Sequence, residues 1–348
     1  MKAAVLTEYR KFEWLEVPEP ETGDHDVLVQ VGFASICGSD MHIFNGDFHP
    51  RTRIPFIPGH EFAGKITACG SKIKKFQPGE RVAIDPIIWC GHCAACRLGH
   101  YPACTSLKLI GVDLNGGFGE YVLTKEEMLY PLPDTISDKN AALIEVYAIG
   151  FHAINRGGLK KDDTVLIWGT GRIGNSVLQA ARTRTRNLIV CVDLVESRLQ
   201  MAKQAYPDIE VVNLEVEDPI DRIRELTDGR GLDVAFEVVG HAVDVPDRPN
   251  PVRGCIQGIR GAGTVCVLGL GDELTPILMK ELIWKEARIV ASRVSHGEFK
   301  KAIDHLAAGD LNPDSLITRE MPARDIQRAF ELLENEPAKY LKILLRMS

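Results

Sequence analysis

The sequence predicts a two-domain α/β protein in which an irregular β-rich domain accompanies a doubly wound parallel-sheet domain. Length is the first sign, because 348 residues exceed what one hydrophobic core usually holds. The second is a change of periodicity. Up to about residue 130 the chain reads as short strands broken by glycine and proline, whereas the middle alternates apolar runs with segments of helical period.

In chain order, DVLVQVGFASICGSD (26–40), PGERVAIDP (78–86) and GGFGEYVLT (116–124) carry the strand signals of the first domain. The apolar runs 164–168, 188–192, 232–239 and 264–268 then read as buried parallel strands joined by helices. Beyond residue 293, HGEFKKAIDHLAAGD and ARDIQRAFELLENE have amphipathic helical spacing, and AKYLKILLRM reads as a closing strand. The expected division is 1–148 with 293–348 in one domain and 149–292 in the other.

A net charge of −7 with 45% hydrophobic residues gives no broad attraction to nucleic acid or to an anionic membrane surface. No apolar run approaches the ~18 residues of a spanning helix. The opening MKAAVLTEYR lacks a charged-then-apolar signal, and nine cysteines cannot pair off, so a reduced, cytoplasmic protein is expected.

Four of those cysteines are crowded into CGHCAACRLGHYPAC. Cys90, Cys93, Cys96 and Cys104 follow C-x2-C-x2-C-x7-C. Two-residue gaps let thiolates converge on one tetrahedral ion, while loops that short strain a disulfide. An iron–sulfur cluster also takes four thiolates, but such runs often place proline after the last cysteine, and Thr105 follows here. A structural zinc is the leading reading.

Gly169, Gly171 and Gly174 form G-x-G-x-x-G directly after the run TVLIW and before a helical pattern. The first glycine permits the tight turn, the second lets backbone approach a pyrophosphate, and the third lets helix pack on strand. Asp193 ends the next apolar run, where a carboxylate accepts from adenosine ribose hydroxyls and repels a 2′-phosphate. This is the fingerprint of a Rossmann domain that takes NAD rather than NADP. Arg182, Arg184 and Arg186 read as solvated cations at a helix C-terminus, where the macrodipole favours positive charge.

Upstream, ICGSDMH carries Cys37, Ser39, Asp40 and His42, and PGHEFAG carries His60 and Glu61. One thiolate, one imidazole and one carboxylate ahead of an NAD site supply the three protein ligands of a catalytic zinc with an open position. These stretches, with the four-cysteine lobe, GGFGEYV, AALIEVYAIGFHA, the glycine motif and DLVESRL, resemble the zinc-containing medium-chain alcohol dehydrogenase family over the whole chain, and most closely its polyol, sugar-acid and threonine dehydrogenase branch.

The resemblance implies a GroES-like catalytic domain and two zinc ions per chain. It also implies that Glu145 is a further zinc ligand or holds a zinc-bound water, although Val146 stands where the family carries proline. Ser39 and His42 would relay the alcohol proton, and Arg293 would lie near nicotinamide and substrate, a surface salt bridge being its alternative reading. Ile173, Arg198, Leu268 and Leu270 would join the glycines and Asp193 at the cofactor.

The expected reaction is hydride transfer to NAD from a secondary hydroxyl of a polyol or sugar acid. L-Threonine or 2,3-butanediol is the alternative substrate, and a zinc-free reductase or a zinc-stabilised NAD-binding scaffold is the alternative class. ASRVSHGEF favours the polyol side, because the threonine branch carries TGR and a tryptophan-containing helix there. Partners are expected to be a small-molecule alcohol and further copies of the chain, in a dimer or tetramer. The proline-rich segment HAVDVPDRPNPVRG reads as a rigid loop bordering the active cleft.

Overall fold

A computed structural model describes residues 1–240 and 248–347. Residues 241–247 of the proline-rich segment lie outside the described residues. Just beyond them, Asn250 caps the helix Pro251–Gly258 by accepting from the Arg253 N–H at 2.9 Å.

The chain divides into two units, Met1–Val146 with Ala302–Ala307 and Ile317–Ser348, and Tyr147–Lys301 with Ala308–Leu316. Residues 293–301 and 308–316 therefore group differently from the sequence expectation. Side chains of the second unit hold them: His152 and Asn155 each bond Glu298 Oε1 at 3.1 Å, and Gln179 bonds both Asn312 and Ser315.

In the first unit, Val27–Ser35 is the central strand of a seven-stranded sheet. Its antiparallel neighbours are Glu61–Cys69, Tyr121–Thr124 and the closing strand Lys342–Arg346. Apolar alternation explains the pairing, since Val27, Val29 and Val31 are buried while Gln30 is exposed. One pair is parallel, Ile317–Pro322 with Lys342–Arg346. The sheet brings Glu61, at the start of its strand, beside Ser35, at the end of Val27–Ser35.

The second unit is a six-stranded, wholly parallel sheet. Its order is Glu210–Asn213, Ile189–Asp193, Val165–Trp168, Leu232–Glu237, Ile259–Val267 and Arg288–Ala291. That is the doubly wound order 3-2-1-4-5-6, with the switch point beside Val165–Trp168. Helices cover the central strands, so Val165, Leu166 and Ile167 are fully buried, as their unbroken apolar run requires.

The arginines after the glycine motif depart from their expected solvation. Arg182 is buried; it donates to the Asn187 carbonyl at 2.8 Å and pairs with Asp208 at 2.9 Å. Arg184 donates to the Leu159 carbonyl at 3.1 Å, and Arg186 alone is exposed. Carbonyls just beyond the helix Arg172–Arg184 accept from Arg182, and the loop carrying Asp208 covers it.

Candidate active site

The helix Gly38–Asn45 begins at Cys37, and its N-cap is a reciprocal capping box. Asp40, three residues into the motif and fully buried, accepts from the Cys37 backbone N–H at 2.8 Å through Oδ2. Its Oδ1 lies 3.3 Å from His60 Nδ1. One carboxylate thus fixes the loop that carries the thiol by a hydrogen bond and sets a negative charge beside His60 Nδ1, which favours Nε2 as the nitrogen offered to a ligand. The sequence places Asp40 in ICGSDMH without a role; its second partner is twenty residues away.

Cys37 Sγ, a ring nitrogen of His60 and a carboxylate oxygen of Glu61 lie within 4.8 Å of one another, all buried. Ser39 Oγ is 3.9 Å from Cys37 Sγ. His42 follows Ser39 by three residues on the same helix face, and its Nδ1 meets Asp47 at 2.8 Å. Glu61 is ion-paired with Lys342, and both side chains are fully buried. The carboxyl of Glu61 stays below its ordinary range: burial pushes it up, but Lys342 and His60 outweigh burial. Burial likewise opposes charge on His60, yet Asp40 and Cys37 carry its imidazole well above the usual histidine range. Metal binding there would therefore release a proton.

Glu145 is buried at the start of the helix Ile144–Arg156, and its Oε2 has no hydrogen-bond partner. Burial first, and then the charge of Glu61, raises its carboxyl to about 8. It is not among the three mutually close ligand atoms, although His60 and Glu61 both act on its charge. A thiol, an imidazole with a carboxylate beside its Nδ1, and two buried carboxylates suit a zinc ion with an open position. Cys37, His60 and Glu61 or Glu145 would hold it.

In the separate lobe, the Sγ atoms of Cys90, Cys93, Cys96 and Cys104 also gather within 4.8 Å, with Cys90 and Cys96 4.0 Å apart. Zinc–sulfur bonds of ~2.3 Å in a tetrahedron set sulfur–sulfur edges of roughly 3.8 Å, so the donors need little movement. All nine cysteines are free thiols. Backbone N–H groups of Cys96 and Thr105 pull the Cys93 thiol down to about 5, while burial pushes Cys96 up to about 12. Together the four donors suit a closed zinc site, in which metal binding would hold all four as thiolates.

In the second unit, Gly169 has φ 104°, and a Cβ on Gly174 would collide with the Gly169 carbonyl. Gly171, the N-cap of the helix Arg172–Arg184, has no such neighbour; the nearest atom to a Cβ there is Arg198 Nη1 at 4.0 Å. The packing demands glycine at the first and last positions, and the open space at the middle one fits a pyrophosphate on the helix N-terminus beside a cation. Asp193 ends its strand and accepts from Thr170 N–H at 2.6 Å, Thr170 Oγ1 at 2.8 Å and Val195 N–H at 2.9 Å. The sequence does not show this tie to Thr170. Ile173 and Leu268 are half-buried and Leu270 is exposed. Arg293 is exposed in the segment after Arg288–Ala291.

Residues 23–134 match the model of the alcohol dehydrogenase GroES-like domain, and residues 173–308 match that of the zinc-binding dehydrogenases. An uncharacterized zinc-type alcohol dehydrogenase-like protein of Haemophilus influenzae is 33% identical over 99% of this chain and 98% of its own. The sorbitol dehydrogenase of Bacillus subtilis is 30% identical over 99% of this chain and 97% of its own. Among solved structures, the 2R,3R-butanediol dehydrogenase of Bacillus subtilis superposes with a TM-score of 0.90 at 28% identity, covering 100% of this chain and 99% of its own. Escherichia coli RspB, complexed with NADH, gives 0.90 at 28%, covering 100% and 99%. A zinc-binding dehydrogenase of Sinorhizobium meliloti bound to NADP gives 0.91 at 28%, covering 99% of each chain. A buried three-donor set and a partly buried four-thiol set of zinc character, a glycine-rich dinucleotide loop and whole-length similarity to these enzymes agree, and the chain belongs to the zinc-containing medium-chain alcohol dehydrogenases, in the branch that includes the polyol dehydrogenases.

Proposed function

We propose that the protein oxidises a secondary hydroxyl of a polyol or sugar acid with NAD as hydride acceptor. The observation that carries the reading is the buried set Cys37, His60 and Glu61 oriented by Asp40, on a chain that also carries the glycine loop and Asp193. When bound, zinc polarises the alcohol oxygen and NAD takes up the carbinol hydride.

The protein's own groups do the rest. Ser39, two residues from Cys37, takes the hydroxyl proton, and His42 passes it to solvent from an exposed position. Glu145, raised to about 8, is a reserve carboxyl whose charged form a cation entering its surroundings would favour. Asp193 favours NAD because a 2′-phosphate would face its charge. Arg293 is assigned to an anionic group of the substrate.

Self-association belongs to the same reading. Leu270, Leu274, Met279, Ile283 and Trp284 are all more than half exposed, in the segment that leads into the sheet-edge strand Arg288–Ala291. Such an apolar run next to an unpaired edge suits a second copy of the chain. Among the described residues no helix is long and apolar enough to cross a membrane, and nine free thiols suit the reducing cytoplasm.

The deciding experiment follows NADH absorbance with sorbitol and other sugar alcohols, aldonates, L-threonine and 2,3-butanediol. Turnover confined to threonine or butanediol would move the substrate assignment. Turnover that survives complete removal of zinc would remove the mechanism.

A further inference from the structure

We propose that Asp47 is a positioning residue that sets which ring nitrogen of His42 carries the proton. The inference rests on the reading of His42 as the outer member of the proton relay, and it adds a residue that the sequence motifs do not contain.

The helix Gly38–Asn45 ends at Gly46 with φ 92°, a left-handed turn that sends the chain back over the last helical turn. The Asp47 N–H then donates to the His42 carbonyl at 2.9 Å, and Asp47 Oδ2 lies 2.8 Å from His42 Nδ1. Backbone and side chain of Asp47 therefore grip the same histidine. The ring of Phe48 stacks on the imidazole with centroids 5.9 Å apart and planes 4° from parallel, which fixes the ring's plane as well as its edge.

A carboxylate only accepts, so His42 Nδ1 must donate. In the neutral ring the other nitrogen, Nε2, is then bare and ready to receive a proton. Without Asp47 the neutral ring could carry its proton on Nε2, and the relay would meet a donor where it needs an acceptor. The pair is about half exposed, 56% and 53%, so little stability is at stake. Exposure suits the last member of a relay, which must release its proton to solvent.

Two measurements on the zinc-loaded protein test this. Long-range proton–nitrogen NMR of histidine-labelled protein at alkaline pH, with His42 assigned by its loss in His42→Ala, should show the Nδ1–H form in the wild type. In Asp47→Ala, which keeps the backbone tether, the Nε2–H form should gain population. A wild-type ring protonated on Nε2, or a ring unaffected by Asp47→Ala, overturns the proposal.

The kinetic arm uses the alcohol that yields NADH in the panel above. Asp47→Ala should lower kcat about 10-fold with KM within about twofold, a fraction of the roughly 10²- to 10⁴-fold of a whole acid–base step. Asp47→Glu should recover much of the rate. In a His42→Ala background the same substitution should cost nothing more, because its effect runs through the ring. An equal cost in both backgrounds shows a structural role and overturns the proposal. Unimpaired turnover in His42→Ala overturns the relay itself; a slow His42→Ala beside a fast Asp47→Ala overturns Asp47 alone.

Discussion

Lys342 and Glu61, 281 residues apart in the chain, form an ion pair in which neither side chain reaches solvent. The closing strand lies beside Val27–Ser35, which in turn pairs with Glu61–Cys69, and so delivers the ammonium to the metal site's carboxylate. Lys342→Met should destabilise the protein by about 3–5 kcal/mol, because it leaves a buried charge unpaired. Glu61→Gln with Lys342→Met should recover part of that loss. Denaturant melts of the three proteins check this; a Lys342→Met protein as stable as wild type would show that Glu61 finds another partner.

Two zinc ions per chain are expected, held by different chemistry. Cys104→Ala opens the closed four-cysteine lobe, so it should remove one zinc and lower stability more than turnover, since a structural zinc contributes folding energy directly. Metal analysis with thermal melts separates the outcomes. A Cys104→Ala protein that is fully stable yet inactive would mean that the lobe takes part in the chemistry.

What could be read from the sequence and what could not divide along contact range. The cysteine lobe and the glycine loop were legible because their donors and turns fall within fifteen and six residues of chain. The buried parallel strands were legible as unbroken apolar runs. Glu210–Asn213 and Arg288–Ala291 were not, being four residues long, partly polar and at the sheet edges. Lys342 reads as an ordinary surface cation in AKYLKILLRM, and only strand pairing reveals its partner. Asp40 stands in the motif ICGSDMH without a role and Asp47 lies outside it, and their roles show only when His60 and His42 are seen against them. Arg182 misled for the same reason, because a helix-end cation is solvated unless a distant loop covers it.

Cofactor choice should turn on Asp193, with a cost that its tie to Thr170 sets. Asp193→Gly with a neighbouring basic substitution should shift preference toward NADP by removing repulsion of the 2′-phosphate. It should also weaken NADH binding, because Thr170 in the glycine loop loses its acceptor. Dissociation constants for NADH and NADPH, read by fluorescence, show both effects. A wild-type protein that already prefers NADPH would refute the role of Asp193.

Glu145 gives a pH dependence with a definite sign in the zinc-free protein. Burial raises its carboxyl from 4.5 to about 8, so the folded state binds this proton more tightly than the unfolded chain. The support it gives is complete below about pH 4.5, the unfolded value, and is lost as pH rises towards 8. At roughly 1.4 kcal/mol per unit the loss is on the order of a few kcal/mol. His60, also raised, loses its support over the upper part of that climb and beyond, so the informative quantity is the difference between wild type and Glu145→Gln. Melting temperatures from pH 5 to 8 should fall more steeply for wild type. Parallel curves would show that Glu145 is ionised throughout.

Metal binding and proton transfer should separate at His60 and Ser39. His60→Ala removes a buried nitrogen donor, so it should strip zinc from the Cys37 site, leave the zinc of the four-cysteine lobe and abolish oxidation. Ser39→Ala removes no proposed ligand, only a hydroxyl 3.9 Å from Cys37 Sγ; it should retain both zinc ions and slow turnover by roughly 10²- to 10⁴-fold, the share of a general acid–base step. Asp40→Asn lies between them. Asp40 accepts from Cys37 and faces His60 Nδ1, so its loss should weaken zinc retention by roughly 10- to 100-fold, the usual effect of removing a group that orients a ligand. Glu61→Gln distinguishes the two carboxylates: zinc loss approaching that of His60→Ala makes Glu61 a direct ligand, whereas a loss like that of Asp40→Asn leaves direct ligation to Glu145. NADH formation at the wild-type rate by zinc-depleted His60→Ala would leave Cys37, His60 and Glu61 without a catalytic role.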